Sequence, residues 1–142
     1  MANTKRSMVK KVAETSDEQV SDFGAFYPTG YVVAAFKKAA DAKRVQKDLI
    51  TGGYEKRDAL LFDAEAAARS LRRNIENAGL LANIGMTKKT LEHHLELAEE
   101  GCDFLLVHAP SHEEAERVMN VVRRVPFRVA QKFHRFAIED LE

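Results

Sequence analysis

The chain is nearly devoid of cysteine: Cys102 stands alone among 142 residues. That excludes an internal disulfide framework and any zinc site built from clustered thiolates, and it fits a reducing compartment. Net charge is also missing. Lys plus Arg and Asp plus Glu number 22 each, so there is no overall basic field for a polyanion and no acidic excess for a cationic partner. No stretch approaches the roughly 20 consecutive apolar residues that span a bilayer, and the first residues lack the apolar segment of a secretory signal. No membrane partner and a cytoplasmic location are expected. Neither a G-x-G-x-x-G nor a P-loop occurs, and Thr51-Gly52-Gly53 reads as a helix exit. No nucleophile is paired with a base. Ser70 and Ser111 have structural explanations, and Cys102 beside Asp103 has no neighbouring cation in sequence to lower its pKa.

What is present organises around Cys102 to Val125. Phe104-Leu105-Leu106-Val107 is a short apolar run without polar alternation, the pattern of a strand covered on both faces. Pro110 and Ser111 then make a corner, and Ser111 with Glu114 forms a capping box that starts a helix near His112. Its apolar stripe is Ala115, Val118, Met119, Val122 and Val125, and Pro126 stops it. Tyr31 to Ile50 repeats this unit. Tyr31 to Phe36 is the apolar strand, Ala42, Val45, Leu49 and Ile50 are the stripe, and Gly52-Gly53 supplies the exit. Asp41-Ala42-Lys43-Arg44-Val45 matches Glu114-Ala115-Glu116-Arg117-Val118, and Gly30 and Gly101 precede the two strands. Each unit leads to another strand candidate, Ala59 to Phe62 and then Phe127 through Ile138. Two βαβ units in one small chain predict an α+β fold of the ferredoxin-like, split βαβ kind, with four strands in a mainly antiparallel sheet.

The expected organisation is a polar arm over 1–22 and a single domain over 23–142 with a helical insertion at about 64–100. Phe23, Phe26 and Tyr27 are expected to anchor the arm on the domain. In the insertion, Asp63 is the N-cap for a helix Ala64 to Ala78 with Ala67, Leu71, Ile75 and Ala78 on one side. Glu65 to Arg69 and Arg72 to Glu76 are i,i+4 pairs on the other. Thr87 is read as the cap of a second helix, Lys88 to Glu100. A minimal split βαβ fold has no such insertion, and its two crossover helices cover only one sheet face. The inserted helices folding back, or a second subunit, must shelter the other.

Candidate functional residues follow from their neighbours. His108 and His112 flank the strand-to-helix corner, and with His134 or His94 they are the candidate ligand or metal residues. Cofactor identity is open. His94 shares a face with Leu91, Leu95 and Ala98, which suits a buried, hydrogen-bonded histidine, while His93 faces toward Leu97. Arg128, Lys132 and Arg135, interleaved with Phe127, Phe133 and Phe136, are the nucleic-acid candidates. A charged edge strand explains the same residues.

The stretch Gly30-Tyr31-Val32-Val33-Ala34-Ala35-Phe36, the following Asp41-Ala42 and the Gly-Gly-Tyr return resemble the small general-stress (heat-induced stress) proteins. In that family, too, an apolar strand leads to an alanine-containing helix and a Gly-aromatic turn, and a helical middle precedes a second apolar strand. The resemblance brings no catalytic residues. The function expected is a non-enzymatic interaction or ligand-sensing domain connected with stress or regulation, forming a homo-oligomer through the sheet or the inserted helices. A small-molecule or metal-dependent enzyme using a histidine-lined cleft is the alternative, and RNA binding through the C-terminal basic segment ranks below it.

Overall fold

A computed structural model describes residues 29–78, 85–134 and 138–141, of which 77, 78 and 85–87 are described as backbone only. The arm, the aromatic cluster Phe23, Phe26 and Tyr27, and Arg135 lie outside the described residues. Within them the fold is α+β. It contains β1 (Tyr31–Phe36), α1 (Ala39–Thr51), a 3-10 turn (Lys56–Asp58), β2 (Ala59–Phe62), α2 (Ala64–Ala78), α3 (Gly85–Glu99), β3 (Asp103–His108), α4 (His112–Val122), β4 (Val129–Phe133) and β5 (Ile138–Asp140). The strands form one sheet in the order β2-β3-β1-β4-β5, and every neighbouring pair is antiparallel.

The two apolar strands sit side by side at the centre, with Val33 opposite Leu106 and Ala35 opposite Phe104. All six residues of β1 are buried, because successive side chains leave the pleat in opposite directions and both faces are covered. On one face Val32, Ala34, Phe36, Leu105 and Val107 pack with Ala42, Val45 and Leu49 of α1 and with Ala115, Val118, Met119 and Val122 of α4. Thus the matched words of the repeat, Ala42 with Val45 and Ala115 with Val118, occupy equivalent places. On the other face Val33, Ala35 and Phe104 pack with Ala67, Ala68 and Leu71 of α2 and with Leu91, Leu97 and Ala98 of α3. The inserted helices therefore supply the shelter for which a second subunit was the alternative. Each fully buried Leu or Val on these stripes contributes roughly 1.5–3 kcal/mol of hydrophobic transfer energy.

Several expectations need correction. The sheet has five strands, not four, because the segment read as one strand over Phe127 to Ile138 folds back on itself, pairing Phe133 with Ile138 and Gln131 with Asp140. No Gly, Pro or Asn lies between Val129 and Asp140 to announce that reversal. Ile50 leaves the α1 stripe and is 38% exposed, since it follows Leu49 by one residue, about 100° around the helix. Helix α3 starts at Gly85, so Thr87 is inside it rather than its cap. His93 is exposed while Leu97 is buried, because the buried stripe is centred on His94. Helix α4 ends at Val122, before Val125, although Val125 is still buried.

The helix starts are as expected where the caps were legible. Ser111 Oγ accepts from the Glu114 amide at 3.0 Å and Glu114 Oε1 accepts from the Ser111 amide at 3.1 Å. Asp63 Oδ1 accepts from the Ala66 amide at 2.8 Å. A second carboxylate joins it from β3: Asp103 Oδ1 accepts from the Ala64 amide at 3.0 Å. Glu65 and Arg69 pair at 3.5 Å, whereas Arg72 reaches across to Glu99 of α3 at 3.0 Å instead of pairing with Glu76.

Candidate functional site

Between the sheet and the inserted helices lies a cavity of about 60 Å³. Its floor is Val33, Phe104, Leu106, Phe62 and Phe133, contributed by four strands. Its roof comes from Ala67, Ser70, Leu71 and Asn74 of α2 and from Leu91 and His94 of α3. The α2 residues recur at i, i+3, i+4 and i+7, one face of a helix. Two of those four positions are polar, inside a stripe that otherwise buries alanine and leucine.

The polar groups are fixed in unequal ways. His94 is 2% exposed, and its Nε2 lies 2.8 Å from Gln131 Oε1. Gln131 Nε2 donates to Asp140 Oδ1 at 2.7 Å, which orients the amide with its oxygen toward the ring. His94 Nε2 therefore carries the proton and Nδ1 keeps a lone pair. Burial pulls the His94 pKa from 6.5 down to about 4, opposed by the Gln131 bond and assisted by the nearby His93. The ring is neutral at pH 7, and it stands 5.7 Å from the Phe104 ring and 6.3 Å from the Phe133 ring, centre to centre. Asn74 is 3% exposed, and its Oδ1 is buried without any hydrogen-bond partner. Leaving a buried amide oxygen unpartnered costs about 1–3 kcal/mol. Among the described residues no Lys, Arg, Asp or Glu lines the cavity.

Of the four candidate histidines only His94 reaches this cavity. His108 ends β3 half-buried with its ring 5.1 Å from that of Tyr31, His112 opens α4 on the surface, and His134 pairs with Glu139 at 2.9 Å. Among the described residues no group of three or more His, Cys, Asp and Glu side chains is placed to hold a metal ion. Cys102 is buried, and that burial pushes its thiol upward despite the opposing charge of Arg128. In the basic segment, Arg128 pairs with Glu100 at 3.1 Å. Lys132 is 4% exposed and donates from Nζ to the Pro110 carbonyl at 2.9 Å. Phe133 points into the core as part of the cavity floor.

Asn74 was not singled out from the sequence. Its signal is there: an amide three residues after Leu71 and seven after Ala67 falls in the apolar stripe of α2. Ser70 carries the same signal at i+3 from Ala67. No helix among the described residues is long and apolar enough to cross a membrane. Set against known protein families, curated proteins and solved structures, the chain matches none of them.

Proposed function

We propose that the protein is a non-enzymatic ligand-sensing domain that holds a small, mainly apolar molecule between the sheet and the α2–α3 pair. The observation that carries this reading is the Asn74 Oδ1, buried and unpartnered, beside a cavity lined by Val33, Leu71, Leu91 and Phe104. An apolar lining with a few convergent polar groups is the pattern of a ligand site, and at about 60 Å³, below the ~300–1,000 Å³ of drug-sized pockets, this one takes only a small molecule. A histidine pair or a nucleophile with a base would favour catalysis, but one histidine with a glutamine partner favours binding. The order β2-β3-β1-β4 with α1 and α4 on a common face supports a split βαβ, ferredoxin-like ancestry, to which α2, α3 and β5 are additions. The connection with stress rests on the likeness of Gly30 to Phe36 to the general-stress proteins.

The experiment is native mass spectrometry of protein purified from its own host. A mass in excess of the polypeptide is expected, lost in an Ala67→Phe variant that fills the cavity. A bare polypeptide mass in both overturns the reading.

Self-association is the second reading, and β2 favours it. This edge strand, Ala59 to Phe62, carries no charge and no proline, the two devices that usually keep a sheet edge from pairing with another chain. Gln46 Nε2 covers one of its carbonyls, that of Ala59, at 2.9 Å. Light scattering at micromolar concentration is expected to report a homo-oligomer, and a strict monomer removes this reading.

A further inference from the structure

We infer that the head of the molecule bound in this cavity is a neutral carboxamide. The inference rests on the reading of the cavity as a ligand site and adds to it the chemistry of the ligand.

Two observations favour a neutral group. Among the described residues the lining contains no Lys, Arg, Asp or Glu, so none of them supplies a counterion to a buried carboxylate, phosphate or ammonium, and an unpaired buried ion is the costliest group to desolvate. The one titratable residue among the described lining residues, His94, is held neutral by burial, and its Nε2 proton is already committed to Gln131. It offers the ligand a lone pair on Nδ1 and no cation.

Two further observations select a donor. Asn74 Oδ1 is an acceptor in need of an N–H or O–H, and the ring of His94 adds a second acceptor on the same roof. The Asn74 side chain is itself an amide, with donors on Nδ2 next to the acceptor. A ligand carboxamide presents the complementary order, N–H toward Oδ1 and C=O toward Nδ2. That match survives exchange of the two Asn74 atoms, which are told apart only by their hydrogen bonds. Ser70 has a hydroxyl that rotates to suit either role. The floor of Val33, Leu106 and Phe104 takes the apolar remainder. At about 60 Å³ the cavity is far below the ~300–1,000 Å³ of drug-sized ligand pockets, which limits the ligand to a head group with a short alkyl remainder.

The test compares three probes of matching shape, propanamide, butanone and propionate, titrated into the full chain while the methyl NMR signals of Val33, Leu71, Leu91 and Leu106 are followed. Propanamide is expected to shift them and to bind about tenfold more tightly than butanone, the equivalent of one lost hydrogen bond near 1.4 kcal/mol. Propionate is expected to leave them unmoved. In Asn74→Leu the preference for propanamide over butanone should vanish, and the wild-type comparison stands by itself if that variant does not fold. Equal or tighter binding of butanone or propionate to the wild type overturns the carboxamide while leaving a ligand site in place. If none of the three moves the methyl signals at millimolar concentration and a water stays on Asn74, the ligand site falls with it.

Discussion

His94 Nε2 and Gln131 Oε1 face each other at 2.8 Å across the gap between α3 and β4, and Asp140 on β5 fixes the amide from behind. This relay ties a helix of the insertion to the added edge strand and sets the tautomer of a buried ring. It also makes stability depend on pH in a definite direction. The His94 pKa is 6.5 when unfolded and about 4 when folded. Above pH 6.5 neither state binds the proton. Below it the unfolded chain does and the folded chain does not, so stability falls as the pH drops from 6.5 toward 4. The loss due to this group reaches about 3 kcal/mol at the lower end. Chemical denaturation at a series of pH values should show it, and the difference between wild type and His94→Leu should isolate it from the carboxylates. Parallel curves for the two proteins across that window would refute the assignment.

Asn74 supplies a prediction of opposite sign. Its buried, unpartnered Oδ1 is a cost to the empty protein, and leucine, with the same branched outline and larger methyl groups that extend into the cavity, removes that cost while adding apolar contact with the lining. Asn74→Leu is expected to raise stability by about 1–2 kcal/mol. Denaturant midpoints measure it directly. A residue that lowers stability where a common alternative would raise it is the pattern of a functional position, so a destabilised Asn74→Leu would argue that the amide is structural.

What the sequence revealed and what it hid have the same physical origin. The central strands, the Ser111 capping box and the Asp63 cap were legible because their signals are local: an apolar run, or a side chain three residues from the amide it bonds. The return of α2 and α3 onto the sheet was legible as a need, since Val33 and Phe104 had to be covered. The fifth strand was not, because its reversal after Phe133 lacks turn residues. Asp103 was seen only as a neighbour of Cys102, yet it caps a helix that starts 39 residues earlier in sequence. In the sequence Lys132 reads as a nucleic-acid contact or a charge on an edge strand, yet it is buried on the pleat opposite Val32 and bonded to Pro110. Both depend on which strands become neighbours, and no local pattern carries that.

Gly30 joins three elements in a conformation that other residues resist. Its amide donates to the Phe133 carbonyl and its carbonyl accepts from Ala109, each at 2.8 Å. Its φ is +84°, and a Cβ there would sit 3.4 Å from Pro110 Cβ. A left-handed residue with a side chain costs roughly 1–2 kcal/mol. Gly30→Ala should therefore lose about that much stability by denaturation, and an unchanged midpoint would contradict the geometry.

The two carboxylates at the start of α2 decide how firmly the cavity roof is held. Asp63 bonds the Ala66 amide from within its own segment, but Asp103 bonds the Ala64 amide from β3 and so locks the helix to the sheet. At 7% exposure Asp103 has little water to replace that partner. Asp103→Ala should cost about 1–2 kcal/mol, the usual penalty for a lost cap. Asp103→Asn keeps an oxygen for the amide and loses only the charge at a helix N-terminus, worth about 0.3–1 kcal/mol, so it should recover at least half of that loss. Hydrogen exchange separates this from general destabilisation. Amides of α2 should exchange faster in Asp103→Ala while those of β1, locked between β3 and β4, keep their protection. Faster exchange in both elements alike would mean that Asp103 supports the whole sheet rather than the roof over Val33.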